Sequence, residues 1–132
     1  MTKFFSMTLI GLGALMMTSC ETNQGSAIDY NDKLIGEQTK IVRMMLDMFN
    51  TDDFSQLDTR IDELIVQCDA SIKVVKDLGI WDGNDAFYNA TINLFEFYKK
   101  SCDNECREMA QILNNPDMSE EDITRLDEIA DI

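Results

Sequence analysis

The chain has no histidine. Imidazole is the usual general base near neutral pH, the common nitrogen ligand of zinc and the activating partner of a nucleophilic serine or cysteine, so its absence removes those chemistries together. Proline occurs once, at Pro116, and glycine six times in 132 residues, which leaves few breakers inside helices. Cations are scarce: 11 Lys and Arg stand against 25 Asp and Glu. Phosphate backbones need clustered cations, and Lys99-Lys100 is followed closely by Asp103, Glu105 and Glu108, so no nucleic-acid partner is expected. An anionic bilayer surface would repel the same charge. No segment alternates apolar and polar residues for long enough to make a strand.

Long apolar runs are also missing, with one exception at the N-terminus. Lys3 precedes residues 4–17, interrupted only by Ser6, Thr8, Gly11 and Gly13. A membrane-spanning helix needs about 20 apolar residues, so this shorter run fits the hydrophobic region of a cleaved signal. It ends Met17-Thr18-Ser19-Cys20, which resembles the lipobox of bacterial lipoproteins, although Met17 stands where leucine is usual. The resemblance implies cleavage after residue 19 and acylation of Cys20, placing the protein in the cell envelope, at the outer membrane. Each buried CH₂ of an acyl chain contributes about 0.8 kcal/mol, so two or three chains would hold the protein to a bilayer. Loss of Lys3 would leave ten basic against 25 acidic side chains, a formal charge of −15. Residues 20–29 read as a flexible tether and residues 30–132 as one domain.

Within that domain the apolar spacing is helical. In residues 30–50, Leu34, Ile41, Met45 and Met48 recur at three- and four-residue steps. Thr51, Asp52 and Asp53 can cap a second helix, whose stripe is Phe54, Leu57, Ile61, Leu64, Cys68, Ile72, Val75 and Leu78. Gly79 followed by Ile80 fits a left-handed helix stop. Asp82-Gly83-Asn84-Asp85 offers a turn and acidic caps for a third helix over residues 85–113. Its expected inward face is Phe87, Ala90, Leu94, Phe97 or Tyr98, Cys102, Cys106, Met109 and Leu113. Ser119 with Asp122 forms a capping-box pattern and starts a short fourth helix through Ile123, Leu126 and Ala130. The predicted fold is all-α: an up-and-down antiparallel bundle of three long helices plus a shorter C-terminal one.

Several groups of residues carry chemical alternatives. Cys68, Cys102 and Cys106 would face an oxidising compartment. If the chain folds back about Asp82, Cys68 and Cys102 are offset by about 9 Å at the helical rise, beyond disulfide reach. Buried free thiols are the first reading of all three; a disulfide between Cys102 and Cys106, one turn apart, is the alternative and needs local distortion of the helix. Cys102, Cys106 and Met109 share a face whose sulfur donors suit Cu(I), but packing is the commoner use of such residues. The Asp82–Asp85 cluster lacks the spacing and closing Glu of a calcium loop. No cofactor or metal is expected. Trp81, Phe87, Tyr88, Phe95, Phe97 and Tyr98 exceed what one core face can take, so part of the cluster should reach the surface. Tyr30, Gln38, Trp81, Asp82, Asp85 and Tyr98 are therefore the candidate ligand or partner surface.

Residues 30–115 resemble a family of small, helical surface lipoproteins of unknown function from Gram-negative bacteria. The likeness rests on Tyr30-Asn31-Asp32-Lys33 with Glu37-Gln38, on Asp82-Gly83-Asn84-Asp85 with Phe87, and on Leu94-Phe95-Glu96-Phe97-Tyr98-Lys99-Lys100. It implies a location and a helical fold. The functional expectation is a non-catalytic binding or interaction module attached through Cys20, with an envelope protein or ligand as partner. The alternatives are a self-assembling structural or stress-related envelope component, and a carboxylate-based hydrolase.

Overall fold

The computed structural model describes residues 26–131; the signal, Cys20 and the first part of the tether lie outside the described residues. The described chain is helical, with four helices packed against one another and no strand. The elements are α1 (Ala27–Phe49), a 3₁₀ turn (Phe54–Gln56) leading into α2 (Leu57–Leu78), α3 (Ala86–Ser101), a π turn (Cys102–Cys106), α4 (Arg107–Leu113) and α5 (Glu120–Ala130). The chain from α3 to α4 forms the third long rod.

The first helix starts inside the segment expected to be tether. Ser26 is its N-cap, and a capping box with Asp29 satisfies two backbone N–H groups that an open helix end leaves unpaired. Asp53 caps the 3₁₀ turn, accepting from the Ser55 N–H at 3.2 Å and from Gln56 Nε2 at 2.7 Å. Helix α2 stops at Gly79, but not in the expected left-handed helical conformation: φ is +74° with ψ −172°, a region essentially confined to glycine. The turn that follows places Asp82 at φ +51° and Gly83 at φ +72°, and the Asn84 N–H returns to the Trp81 carbonyl at 3.1 Å. Asp85 at the N-cap of α3 makes no side-chain cap. The Asn84 carboxamide does that work, accepting from the Ala86 N–H at 3.0 Å.

Helix α2 is the pillar of the core. Leu57, Ile61, Leu64, Cys68, Ile72 and Val75 are buried along one face, matching the stripe read from the sequence except at its ends, where Phe54 is exposed and Leu78 is half-buried. From α1 it receives Tyr30, Leu34, Ile41 and Met48. From the third rod it receives Phe95, Cys102, Cys106 and Ala110. Cys102 and Cys106 lie inward as expected, but the rest of the expected inward face is corrected, Ala90 being exposed. Phe87 and Phe97 are exposed and Leu94 is only half-buried, whereas Thr91 and Phe95 are buried. Thr91 can be buried because its hydroxyl donates to the Phe87 carbonyl at 2.9 Å.

Two polar links fix α1 to its neighbours. Glu37 is buried, and its Oε2 accepts from the Ser71 hydroxyl at 2.9 Å, which in turn accepts from Gln67 Nε2 at 2.9 Å. Tyr30 is buried beside Trp81, with ring centroids 6.4 Å apart, and its hydroxyl donates to the Gly79 carbonyl at 2.8 Å. The same burial raises the Tyr30 pKa. Tyr30→Phe should keep the packing, leave the Gly79 carbonyl without this donor and lower stability by about 1 kcal/mol. Urea denaturation should then give a lower midpoint with an unchanged slope.

Candidate functional site

The π turn decides what faces outward on the third rod. A helix advances about 100° per residue, and a π turn holds one extra residue, which rotates everything after it by that amount. Without it, positions 105 and 109 would follow Cys102 towards α2. With it, Cys106 and Ala110 take those places, while Glu105 and Met109 move to the side wall. Met109 was expected in the core; the small Ala110 fills that position at full burial.

The displaced residues line a cavity on the seam between α1 and the third rod. Its volume is about 470 Å³, within the range of small-molecule sites. Met45 and Phe49 come from the last turns of α1; Phe97, Tyr98 and Ser101 from the end of α3; Glu105, Cys106 and Met109 from the π turn and α4; Leu126, Ile129 and Ala130 from α5. A smaller cavity, about 130 Å³, lies further along the seam between Leu34, Ile35 and Gln38 of α1 and Phe87, Thr91 and Phe95 of α3.

One wall of the large cavity is thinly held. No residue of α5 is buried. Arg125 grips Glu108 with two hydrogen bonds of 2.8 Å, a bidentate pair, and also reaches Glu128 at 2.9 Å. The capping box of Ser119 and Asp122 orders the start of the helix, as its sequence pattern predicts. Polar groups inside the cavity are few. Glu105 is among the lining residues, and its Oε2, closed off from any water-sized molecule, has no hydrogen-bond partner.

Among the described residues the cysteines, Cys68, Cys102 and Cys106, are buried free thiols. Cys102 and Cys106 share a hydrogen bond; side chains one turn apart on a helix stand wider than a disulfide prefers. The Cys102 S–H lowers the pKa of Cys106, while Cys102 itself is pushed far up. Burial raises Cys68 to about 11. Cys68 and Cys102 also lie closer in level than a fold-back about Asp82 implies. The ion pairs of Asp69 with Lys99 at 2.7 Å and Asp62 with Arg107 at 2.5 Å put the midpoint of the return at Asn84. Cys106 and Met109 line the cavity but Cys102 does not, so the three sulfur donors do not share its wall. Among the described residues no group of three or more Cys, Asp or Glu is placed to hold a metal ion.

The residues expected to form one surface are separated. Tyr30 and Trp81 make a packed cluster beside the loop after α2, Gln38 lines the small cavity, and Asp82 and Asp85 are exposed on the turn. Tyr98 alone reaches the large cavity. The residues missed by sequence reasoning are Met45, Glu105, Leu126 and Ile129. Steps of four through Tyr98, Cys102, Cys106 and Ala110 were the available signal, since a run of fours outpaces the α-helical period and marks a locally unwound turn. No family model matches this chain, and neither a curated protein nor a solved structure does. Among the described residues no helix is long and apolar enough to cross a membrane.

The pairing of α5 is pH-dependent. Hydrogen bonds from Arg125 lower the Glu108 pKa from its ordinary 4.5, and the Ser119 backbone and hydroxyl lower that of Asp122 from 3.8. A carboxyl lowered in the folded state contributes above its unfolded pKa, and that contribution is lost as pH falls through the folded value. As the pH drops below about 4.5, the methyl NMR signals of Leu126 and Ile129 should move towards exposed positions before those of Ile61 and Leu64 respond. Glu108→Gln should produce the same change at neutral pH. Thiol labelling should follow the other gradient, with Cys106 alkylated ahead of Cys102 and Cys68 by mass spectrometry.

Proposed function

We propose that this protein is a lipid-anchored cell-envelope binding module, without chemistry of its own, that takes a small and largely apolar ligand in the groove between α1, the Cys102–Cys106 turn and α5. The observation that carries the reading is the groove: an apolar cavity of ligand size, closed on one side by a helix with no buried residue. A wall of that kind opens at low cost, which suits entry and release. The absence of histidine and the lack of a second carboxylate among the cavity residues both favour binding over hydrolysis.

The anchor belongs to the same proposal. A lipid on Cys20 would lie six residues before the Ser26 cap, a reach of at most about 20 Å for an extended chain. The groove begins at Met45, about 27 Å along α1 from Ala27 at 1.5 Å per residue, so it would sit at the end of the domain away from the bilayer. The resemblance to small helical surface lipoproteins points to the same location. We read the helix arrangement as the up-and-down antiparallel bundle, a reading supported by the ion pairs of Asp69 with Lys99 and Asp62 with Arg107. A second reading, self-assembly through this end, draws on Phe49, Phe97 and Ile123, each more than half exposed near the groove mouth.

Binding of the neutral dye Nile red tests the groove. One dye per chain should bind with a blue-shifted emission. Leu126→Glu should abolish binding, while Ile28→Glu, at the far end of α1, should leave it intact. Dye uptake that survives Leu126→Glu would reject the groove as the site, and a dimer whose dissociation parallels dye uptake would favour self-assembly. Intact mass of the membrane-extracted protein tests the anchor, with an acylated chain beginning at Cys20 as the expected product.

A further inference from the structure

Cys102 and Cys106 are the first and last residues of the π turn, and both are buried. Their thiols share a hydrogen bond, so the two sulfurs are already in contact. On a regular α-helix, side chains four positions apart stand wider than a disulfide prefers. The π turn relaxes that limit. An i→i+5 turn spreads its rise over an extra residue, which brings positions four apart closer along the axis. The two thiols also differ in access. Cys106 keeps 6% of its surface and belongs to the groove wall, which α5 covers without a buried residue of its own. Cys102 is sealed and lies in the core cluster with Cys68 of α2.

We infer that Cys102 and Cys106 form a dithiol–disulfide couple, in which Cys106 exchanges with a small disulfide entering through the groove and Cys102 then closes the bridge. The couple goes beyond the binding reading and needs no ligand in the groove. In the first step the Cys106 thiolate attacks one sulfur of a disulfide R–S–S–R: a bond from Cys106 Sγ to that sulfur forms, the S–S bond breaks, and the departing R–S⁻ takes up the proton that Cys106 released. In the second step Cys102 Sγ gives up its proton and attacks Cys106 Sγ, and the second R–S⁻ leaves and takes up that proton. Two protein thiols are thereby oxidised to one disulfide, and R–S–S–R is reduced to two R–SH. The hydrogen bond from the Cys102 S–H favours the thiolate of Cys106, which suits Cys106 to the first step. The net charge of −14 repels anionic reagents, so the partner disulfide is one without negative charge. One bridge forms per chain, so the exchange is a modification and not a catalytic cycle.

The test uses the full chain carrying Cys20→Ser, which leaves Cys68, Cys102 and Cys106 as its thiols. The reduced protein is treated at neutral pH with hydroxyethyl disulfide, a neutral reagent, and followed by intact mass and peptide mapping. The expected product is lighter by two hydrogen atoms, carries a Cys102–Cys106 bridge and retains Cys68 as a thiol. Cys102→Ser should stop with one half of the reagent on Cys106, and Cys106→Ser should react at neither remaining cysteine while folded. Glu108→Gln, which loosens α5, should speed bridging severalfold. A bridge that includes Cys68, or a lasting adduct on Cys106 while Cys102 is present, overturns the inference. So does a folded chain that stays fully reduced in both the parent and Glu108→Gln. An unchanged bridging rate in Glu108→Gln overturns entry through the groove. The peptide map of the parent chain needs none of the test variants, and circular dichroism identifies any that fails to fold.

Discussion

One face of α2 is sealed from water over residues 57–75, and both α1 and the third rod rest against it. Burial of large aliphatic side chains contributes about 1.5–3 kcal/mol each, so this shared face is the dominant source of cohesion in a small domain. A helix that serves two neighbours also keeps them apart. The seam between α1 and the third rod is filled only in part, and both cavities lie along it. The site is therefore a consequence of how the core is built, with three long rods and only a short fourth helix to close them.

The short helix closes the seam mainly by polar means. Arg125 and Glu108 clamp it, Ser119 and Asp122 cap it, and its apolar residues Leu126 and Ile129 face the cavity without being fully buried. The opposite end of the bundle is held differently, by the Tyr30 hydroxyl on the Gly79 carbonyl and by the buried link from Glu37 through Ser71 to Gln67. Stability is thus uneven along the molecule: tight at the pillar and around Tyr30, loose at α5. That unevenness suits a binding groove, because the part that must move is the part with least to lose.

Much of this was legible in the sequence. The α2 stripe, the position of the Gly79 stop and the Ser119 capping box follow from spacing and local hydrogen-bond chemistry, and the structure agrees with them. The same capping pattern at Ser26 and Asp29 was present but was read as tether, because polar residues around a helix start resemble linker composition. The face of α3 was misread by one position. Phe87 and Leu94 are as apolar as Tyr88 and Phe95, and only packing against α2 distinguishes the two sets. The groove was the least legible feature. It joins residues far apart in the sequence, from Met45 to Ala130, and its geometry depends on an extra residue in one turn. The aromatic surplus did point towards it, since Phe97 and Tyr98 line the groove, but Tyr30 and Trp81 belong to a structural cluster instead.

Helix α2 acts as a rigid pillar and α5 as a weakly held wall over the groove. Native-state amide hydrogen exchange at neutral pH measures both in one experiment. Residues 61–75 should exchange most slowly, through global unfolding, and residues 126–130 about a hundredfold faster or more. Equal protection of α5 and α2 would contradict this difference, because the groove would then be a closed part of the core with no wall to open.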